Sequence, residues 1–177
     1  KKILGFIGRL DEQKGIIPFI KELSKHKGKF YDSVIILVGS GSQEEEIKAI
    51  IKKLNLEDLF ILTGFQENIK SFYLIIDVFF LPSLYEGLPM VLLEAMAFKK
   101  PIISMDVGSI KEVIINEETG ILINEGDYQG FIKELIKLKN DDMLREKLAL
   151  KGFEYVNKNY NIKNYENNIG KLYKQLI

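Results

Sequence analysis

Six short runs of nearly unbroken apolar residues constrain this chain more than any other feature; each is closed by a glycine, a proline or a polar turn and followed by a stretch of helical periodicity. Strands that are apolar at every position are buried on both faces. That is the condition of a parallel sheet covered by helices, not of an antiparallel sheet with one wet side. The runs are Ile3-Leu4-Gly5-Phe6-Ile7 and residues 33–38, 59–63, 78–81, 101–104 and 120–123. Helical patterns are expected over 16–26, 42–54, 68–75, 89–98 and 108–115, and from residue 127 onward the chain reads as helices broken near Asp141 and Asn159. Ser42, with Glu45 three residues later, has the form of a capping box for the second helix. The fold class is therefore α/β: a doubly wound, Rossmann-like parallel sheet of about six strands with helices on both faces, in one domain over 1–177.

Composition narrows the function classes. Lysine plus arginine equals aspartate plus glutamate, 25 each, so no global charge recommends nucleic acid or an anionic membrane as partner. A hydrophobic fraction of 46% over 177 residues supports a sizeable core. The absence of cysteine excludes a disulfide framework and cysteine-based zinc sites, and the single histidine, His26, excludes multi-histidine metal clusters. No apolar run approaches the ~20 residues of a spanning helix, and no signal peptide is visible. The chain opens directly on a strand without an initiator Met, which reads as an excised domain.

In a Rossmann-like order the first and fourth strands are neighbours, and the crevice between their carboxyl ends is the topological switch point where ligands bind. The loop after the first strand, Gly8-Arg9-Leu10-Asp11-Glu12-Gln13-Lys14-Gly15, carries two cations. The loop after the fourth leads into Tyr85-Glu86-Gly87-Leu88-Pro89-Met90-Val91-Leu92-Leu93-Glu94. With Pro89 read as the first helical residue and Leu88 as N-cap, no side-chain acceptor is available and the N–H groups of Met90 and Val91 are orphaned. Such a helix start suits a bound anion such as phosphate. Glu94 is the only polar side chain between Pro89 and Phe98. A carboxylate in an apolar helix is costly unless donors satisfy it, so either an internal Arg, Lys or backbone donor holds it or a ligand's hydroxyl groups do.

Arg9 and Lys14 could pair with Asp11, Glu12 or surface carboxylates, or they could grip a diphosphate together with the helix N–H groups. Under the second reading Glu94, about 7 Å along the helix from its start, would accept from ribose hydroxyls, and Glu86 would meet the group carried by the far phosphate. Gly39-Ser40-Gly41 lacks the third glycine of a dinucleotide fingerprint and follows the wrong strand, and no P-loop occurs. A glycosidase-type pair of Glu86 and Glu94 would leave Arg9, Lys14 and the anion site unexplained. His26 ends a Lys-rich helix and reads as solvated; Ser104 and Asp106 read as helix caps before Gly108. Tyr155, Tyr160, Tyr165 and Tyr173 lie on a polar surface or mark a docking face for a partner domain, and 160–177 is read as a helix packing toward it.

Glu86 and Glu94 form a Glu-x7-Glu pair. It is preceded by Gly8-Arg9-Leu10 with Lys14-Gly15, Val38-Gly39-Ser40-Gly41 and Gly64-Phe65, and followed by Glu94-Ala95-Met96-Ala97 with Pro101 and by Gly108-Ser109-Ile110-Lys111-Glu112-Val113. With these motifs in this order the chain resembles, over essentially its whole length, the C-terminal domain of retaining GT-B glycosyltransferases of family GT4, the glycosyl transferases group 1. The resemblance implies that Arg9 and Lys14 bind the diphosphate of a nucleotide-sugar donor, UDP- or GDP-linked, assisted by Met90 and Val91 N–H groups. It implies that Glu86 holds hydroxyls of the donor sugar, that Glu94 holds the ribose, that residues around Gly39 and Phe65 contact the nucleoside, and that Gly8, Gly87 and Leu88 also belong to the donor-binding set. No metal and no cofactor beyond the substrate is expected. The implied reaction is transfer to an acceptor glycan or glycolipid bound by a missing N-terminal domain, in capsular polysaccharide, exopolysaccharide, lipopolysaccharide or glycolipid assembly. The full enzyme would be cytoplasmic, with peripheral association at the inner membrane face as a variant; the fragment alone would transfer little. A GT-B-type UDP-sugar epimerase and a non-catalytic sugar-nucleotide module are the rival readings. Two departures, Phe98-Lys99 after Glu-Ala-Met-Ala and Ser109 in place of a second glycine, are expected to lie away from the diphosphate cluster.

Overall fold

The computed structural model describes residues 1–160. Its strands are β1 (Lys2–Ile7), β2 (Ser33–Val38), β3 (Phe60–Gly64), β4 (Val78–Leu81), β5 (Ile102–Asp106) and β6 (Ile121–Asn124). They form one parallel sheet in the order β3-β2-β1-β4-β5-β6. Helices α1 (Ile16–Ser24), α2 (Glu44–Lys53), α3 (Lys70–Ile75), α4 (Met90–Ala97), α5 (Ile110–Val113), α6 (Tyr128–Asn140) and α7 (Asp142–Asn159) cover both faces. The expected adjacency of the first and fourth strands is present, with Leu4 opposite Val78 and Gly5 opposite Phe79.

Every residue of β4 is buried, as its unbroken apolar sequence requires. Phe80 of β4 stacks on Phe19 of α1 with centroids 4.6 Å apart, and Phe19 meets Phe131 of α6 edge-on at 5.9 Å. This aromatic row pins α1 and α6 to the centre of the sheet, so the loops entering α1 and leaving β4 start from fixed ground. Away from that edge Lys139 is 2% exposed and donates to Asp32 at 2.6 Å. Arg145 donates to the Leu138 and Lys139 carbonyls and so closes the carboxyl end of α6.

Several boundaries differ from expectation for local reasons. The Ser42–Glu45 capping box does not form: Asp11 Oδ1 accepts from both Ser42 N (3.0 Å) and Ser42 Oγ (3.1 Å), and α2 begins at Glu44 instead. Pro89 is the N-cap of α4 and not its first helical residue, with ψ 102°, and its carbonyl accepts from Leu92 N at 3.0 Å. The first helix ends at Ser24 and a 3-10 turn follows at Lys27–Phe30. Ser104 is buried and donates to the Leu81 carbonyl, binding β5 to β4; neither it nor Asp106 caps α5, whose N-cap is Ser109. Tyr155 and Tyr160 both donate to the Glu112 carbonyl, which ties the end of α7 to α5. Tyr165, Tyr173 and the helix expected toward the end of the chain lie outside the described residues.

Candidate functional site: the cleft between the first and fourth strands

The loops after β1 and β4 meet, as the strand order demands. Leu84 N donates to the Gln13 carbonyl at 2.8 Å and Gln13 Nε2 to the Tyr85 carbonyl at 2.9 Å. Inside this junction Lys14 Nζ lies 2.7 Å from Glu86 Oε1, and Ser83 Oγ donates to the same oxygen at 2.6 Å. Lys14 is 16% exposed at its side chain and Glu86 5%. Lys14 therefore pairs with neither Asp11 nor Glu12 but with the first glutamate of the Glu-x7-Glu pair. Glu86 Oε2 has no protein hydrogen bond among the described residues and is not sealed from solvent. Arg9 follows the simpler expectation. It pairs with Asp11 at 2.5 Å, yet 77% of its side chain is exposed, so it can leave that partner at little cost.

Two glycines make the junction possible. Gly39 has φ 133° and comes so near Gly8 that an added Cβ would sit 1.9 Å from the Gly8 carbonyl oxygen. Gly108, φ 55°, lies against the other loop, and a Cβ there would sit 1.8 Å from the Glu86 carbonyl oxygen. The glycine before the Ser109 departure is thus in contact with the loop that carries Glu86. Its backbone is packed on Glu86.

Met90 and Val91 N–H groups have no protein partner among the described residues, and the N-cap supplies none. An uncapped start is not peculiar to α4, since α1, α2, α3 and α5 also lack a side-chain cap; only Asp127 and Asp141, before α6 and α7, provide one. What sets α4 apart is its neighbourhood, because the loop entering it carries Glu86, paired with Lys14 of the loop after β1. Glu94, half-buried one turn further along, is held neither by a cation nor by the backbone. Tyr73 of α3 donates to Glu94 Oε2 at 2.8 Å. Glu94 Oε1 has no protein partner among the described residues. Tyr73 in turn stacks on Phe98, 5.2 Å away with ring planes 10° apart, so the Phe98 departure also reaches the site.

Beside this junction lies a cleft of about 360 Å³ lined by Gly8, Arg9, Gly39, Ser40, Phe65 and Ile69, among others. It brings Gly8, expected to bind the donor, together with Gly39 and Phe65, expected to contact a nucleoside. Phe65 is 74% exposed, an aromatic face free to stack. Ile69 at the cleft wall and Tyr73 beneath Glu94 are four residues apart at the start and in the middle of α3, so one helical face links the cleft to Glu94. Ser83, Tyr73 and Tyr128, whose hydroxyl donates to the Pro82 carbonyl at 3.2 Å, went unnoticed in the sequence. Ser83 alone had a signal, standing three residues before Glu86 in the same turn.

Residues 1–155 match the family described as glycosyl transferases group 1. The chain belongs to that family. It is 29% identical over 151 residues to the capsular polysaccharide biosynthesis glycosyltransferase CapM of Staphylococcus aureus, covering 85% of this chain and 40% of CapM, so it spans about two-fifths of that relative's length. The crystal structure of the C-terminal domain of a group 1 family protein, LpcC of Francisella tularensis, superposes with TM-score 0.83 at 29% identity, covering 92% of this chain and 87% of that one. S. aureus TarM, solved as a point mutant in complex with fondaparinux, alpha-GlcNAc-glycerol and UDP, superposes with TM-score 0.87 at 25% identity over 93% of this chain and 34% of TarM. The architecture is accordingly that of the C-terminal half of a GT-B glycosyltransferase. No helix among the described residues is long and apolar enough to cross a membrane.

Proposed function

We propose that this chain is the donor-binding half of a retaining, metal-independent glycosyltransferase that takes its sugar from a nucleoside diphosphate and serves the assembly of a surface polysaccharide or glycolipid. The observation that carries this reading is the part-buried Lys14–Glu86 pair, set at the switch point beside the free N–H groups of Met90 and Val91. A cation and oriented N–H groups collected there match a diphosphate. As the bond between the sugar's anomeric carbon and the phosphate oxygen breaks, its electrons pass to the diphosphate. Lys14, a mobile Arg9 and the α4 amides stabilise that growing charge, and no metal is called on.

Lys14 gains a phosphate partner when the donor enters, and this frees Glu86 Oε1 to join Oε2 in accepting from sugar hydroxyls. Glu94 Oε1 takes the ribose hydroxyls, and the base lies in the cleft against Phe65, over Gly39. The acceptor belongs to the part of the protein that CapM and TarM have beyond the matched region. That CapM is a capsular polysaccharide biosynthesis glycosyltransferase supports a polysaccharide acceptor; a lipid-linked acceptor, with the full enzyme at the inner membrane face, is part of the same proposal.

Titration calorimetry of the chain against UDP, GDP, ADP and their sugar conjugates tests the reading. One nucleoside diphosphate series should bind, and Lys14→Ala should weaken it at least tenfold. Absence of binding by every nucleotide would defeat the proposal.

A further inference from the structure

Tyr73 is 1% exposed and its ring is clamped on two sides: by Phe98, stacked at 5.2 Å, and by Phe79 at 5.9 Å and 33°. The clamp leaves the hydroxyl one direction. It lies 2.8 Å from Glu94 Oε2 and 3.2 Å from the Val91 carbonyl oxygen, so it reaches both the first turn of α4 and the carboxylate that follows. A phenol has one proton to give, and the shorter contact goes to the charged acceptor. Burial, reinforced by the Glu94 carboxylate, pushes the Tyr73 hydroxyl well above its ordinary ionisation range, so it stays a donor throughout the physiological range. A buried tyrosine needs some partner for its hydroxyl, and the Val91 carbonyl alone would have sufficed. Reaching past it to Glu94 fixes a side chain that otherwise has three torsions to sample.

Phe98 is the C-cap of α4, one turn after Glu94, so the two share a helix face and both meet Tyr73. On the wall of α3, Ile69 lines the nucleoside cleft one turn before Tyr73. Tyr73, which holds Glu94, therefore stands one turn along α3 from the cleft wall.

We propose that Tyr73 is a positioning residue: stacked on Phe98, it donates to Glu94 Oε2 and turns Oε1 toward the ribose, and so sets the preference for ribonucleotide over deoxyribonucleotide donors. The inference rests on the reading of Glu94 as ribose acceptor, and its test keeps the two separable. The measurement is the ratio of affinities for the tightest-binding ribonucleoside diphosphate among UDP, GDP and ADP and for its 2′,3′-dideoxy counterpart, taken by calorimetry on the wild-type chain and on variants. Glu94→Gln should lower that ratio to near one. Tyr73→Phe, which keeps the ring and its stack, should lower it about tenfold, the order expected when one hydrogen bond to a charged group no longer orients its partner. Phe98→Leu keeps the hydroxyl and loses the stack, and its ratio should fall about threefold.

A ratio unchanged in Glu94→Gln defeats the ribose reading, and the positioning role with it. A ratio that falls in Glu94→Gln but holds in Tyr73→Phe overturns the positioning role alone and leaves Tyr73 as packing. Lost stability without a changed ratio has the same meaning, since a purely structural tyrosine weakens both ligands equally.

Discussion

The two glutamates of the Glu-x7-Glu pair, one in the loop before α4 and the other a turn into that helix, are held in opposite ways. Glu86 is 5% exposed, and a cation and a hydroxyl converge on its Oε1. Glu94 is half-buried and receives one neutral hydroxyl on Oε2. In both, the second oxygen is left without a protein partner among the described residues. The difference lies in what a ligand must displace. On the proposed reading a diphosphate entering beside Glu86 would compete for Lys14, an exchange of counter-ions. At Glu94 nothing charged would have to move, so a ribose would add to an arrangement already set.

Breaking the Glu86 end should have the largest effect. Lys14→Met strands a buried carboxylate, which typically costs about 3–5 kcal/mol, seen as a fall in the denaturation midpoint. Adding Glu86→Gln should restore most of that stability without restoring nucleotide affinity; a double variant as unstable as the single would remove the pair from its structural role. Gly108→Ala forces a left-handed φ on an L side chain and a Cβ against the Glu86 carbonyl oxygen. It should cost about 1–3 kcal/mol and weaken sugar-nucleotide binding while sparing the ribose-dependent ratio at Glu94.

Acid separates a third carboxylate from these two. The backbone N–H of Ser42, aided by its hydroxyl and by Arg9, holds the Asp11 carboxyl below its ordinary value of 3.8. A depressed folded value means the contribution is complete above 3.8 and is lost as pH falls through the lower folded value. Unfolding midpoints recorded from neutral pH downward should therefore show an Asp11-dependent loss only in that acid range, absent from Asp11→Asn. A loss already present near neutral pH would contradict it.

The smallest effect is expected at the far end of α4. Lys99 holds φ 54° where a helix of this kind usually ends on glycine, with Lys99 N bonded to the Met96 carbonyl and Lys100 N to the Ala95 carbonyl. Lys99→Gly relieves about 1–2 kcal/mol of backbone strain. It adds about 0.5–1 kcal/mol of unfolded-state entropy and gives up a cation–π contact with Phe153, 4.6 Å from the ring centroid, of similar worth. The net change should stay within about 1 kcal/mol of zero, the difference of those terms.

The sheet was legible because an apolar run buried on both faces has few alternatives: β2 and β4 begin and end where the sequence places them, and β1 differs only by starting one residue earlier, at Lys2. Strand order alone then brings Arg9, Lys14 and Glu86 to one crevice. Partners were harder to read, because they are set by contacts between distant segments. Glu94's donor lies 21 residues earlier, on a helix whose sequence gives no sign that one tyrosine turns inward to a carboxylate. The Ser42 capping box was a sound local reading overridden by Asp11, 31 residues away, whose charged acceptor takes both Ser42 donors.

The division of labour between the two glutamates is the central claim, and one titration addresses it most directly. The wild-type chain, Glu86→Gln and Glu94→Gln are each measured against a nucleoside diphosphate and its sugar conjugate. In Glu86→Gln the nucleoside diphosphate should bind at least as tightly as in wild type, since Lys14 no longer has to leave a carboxylate, while the extra affinity supplied by the sugar disappears. In Glu94→Gln the nucleotide itself should weaken and the sugar's increment should remain. The reverse pattern, or equal losses in both, would contradict the assignment.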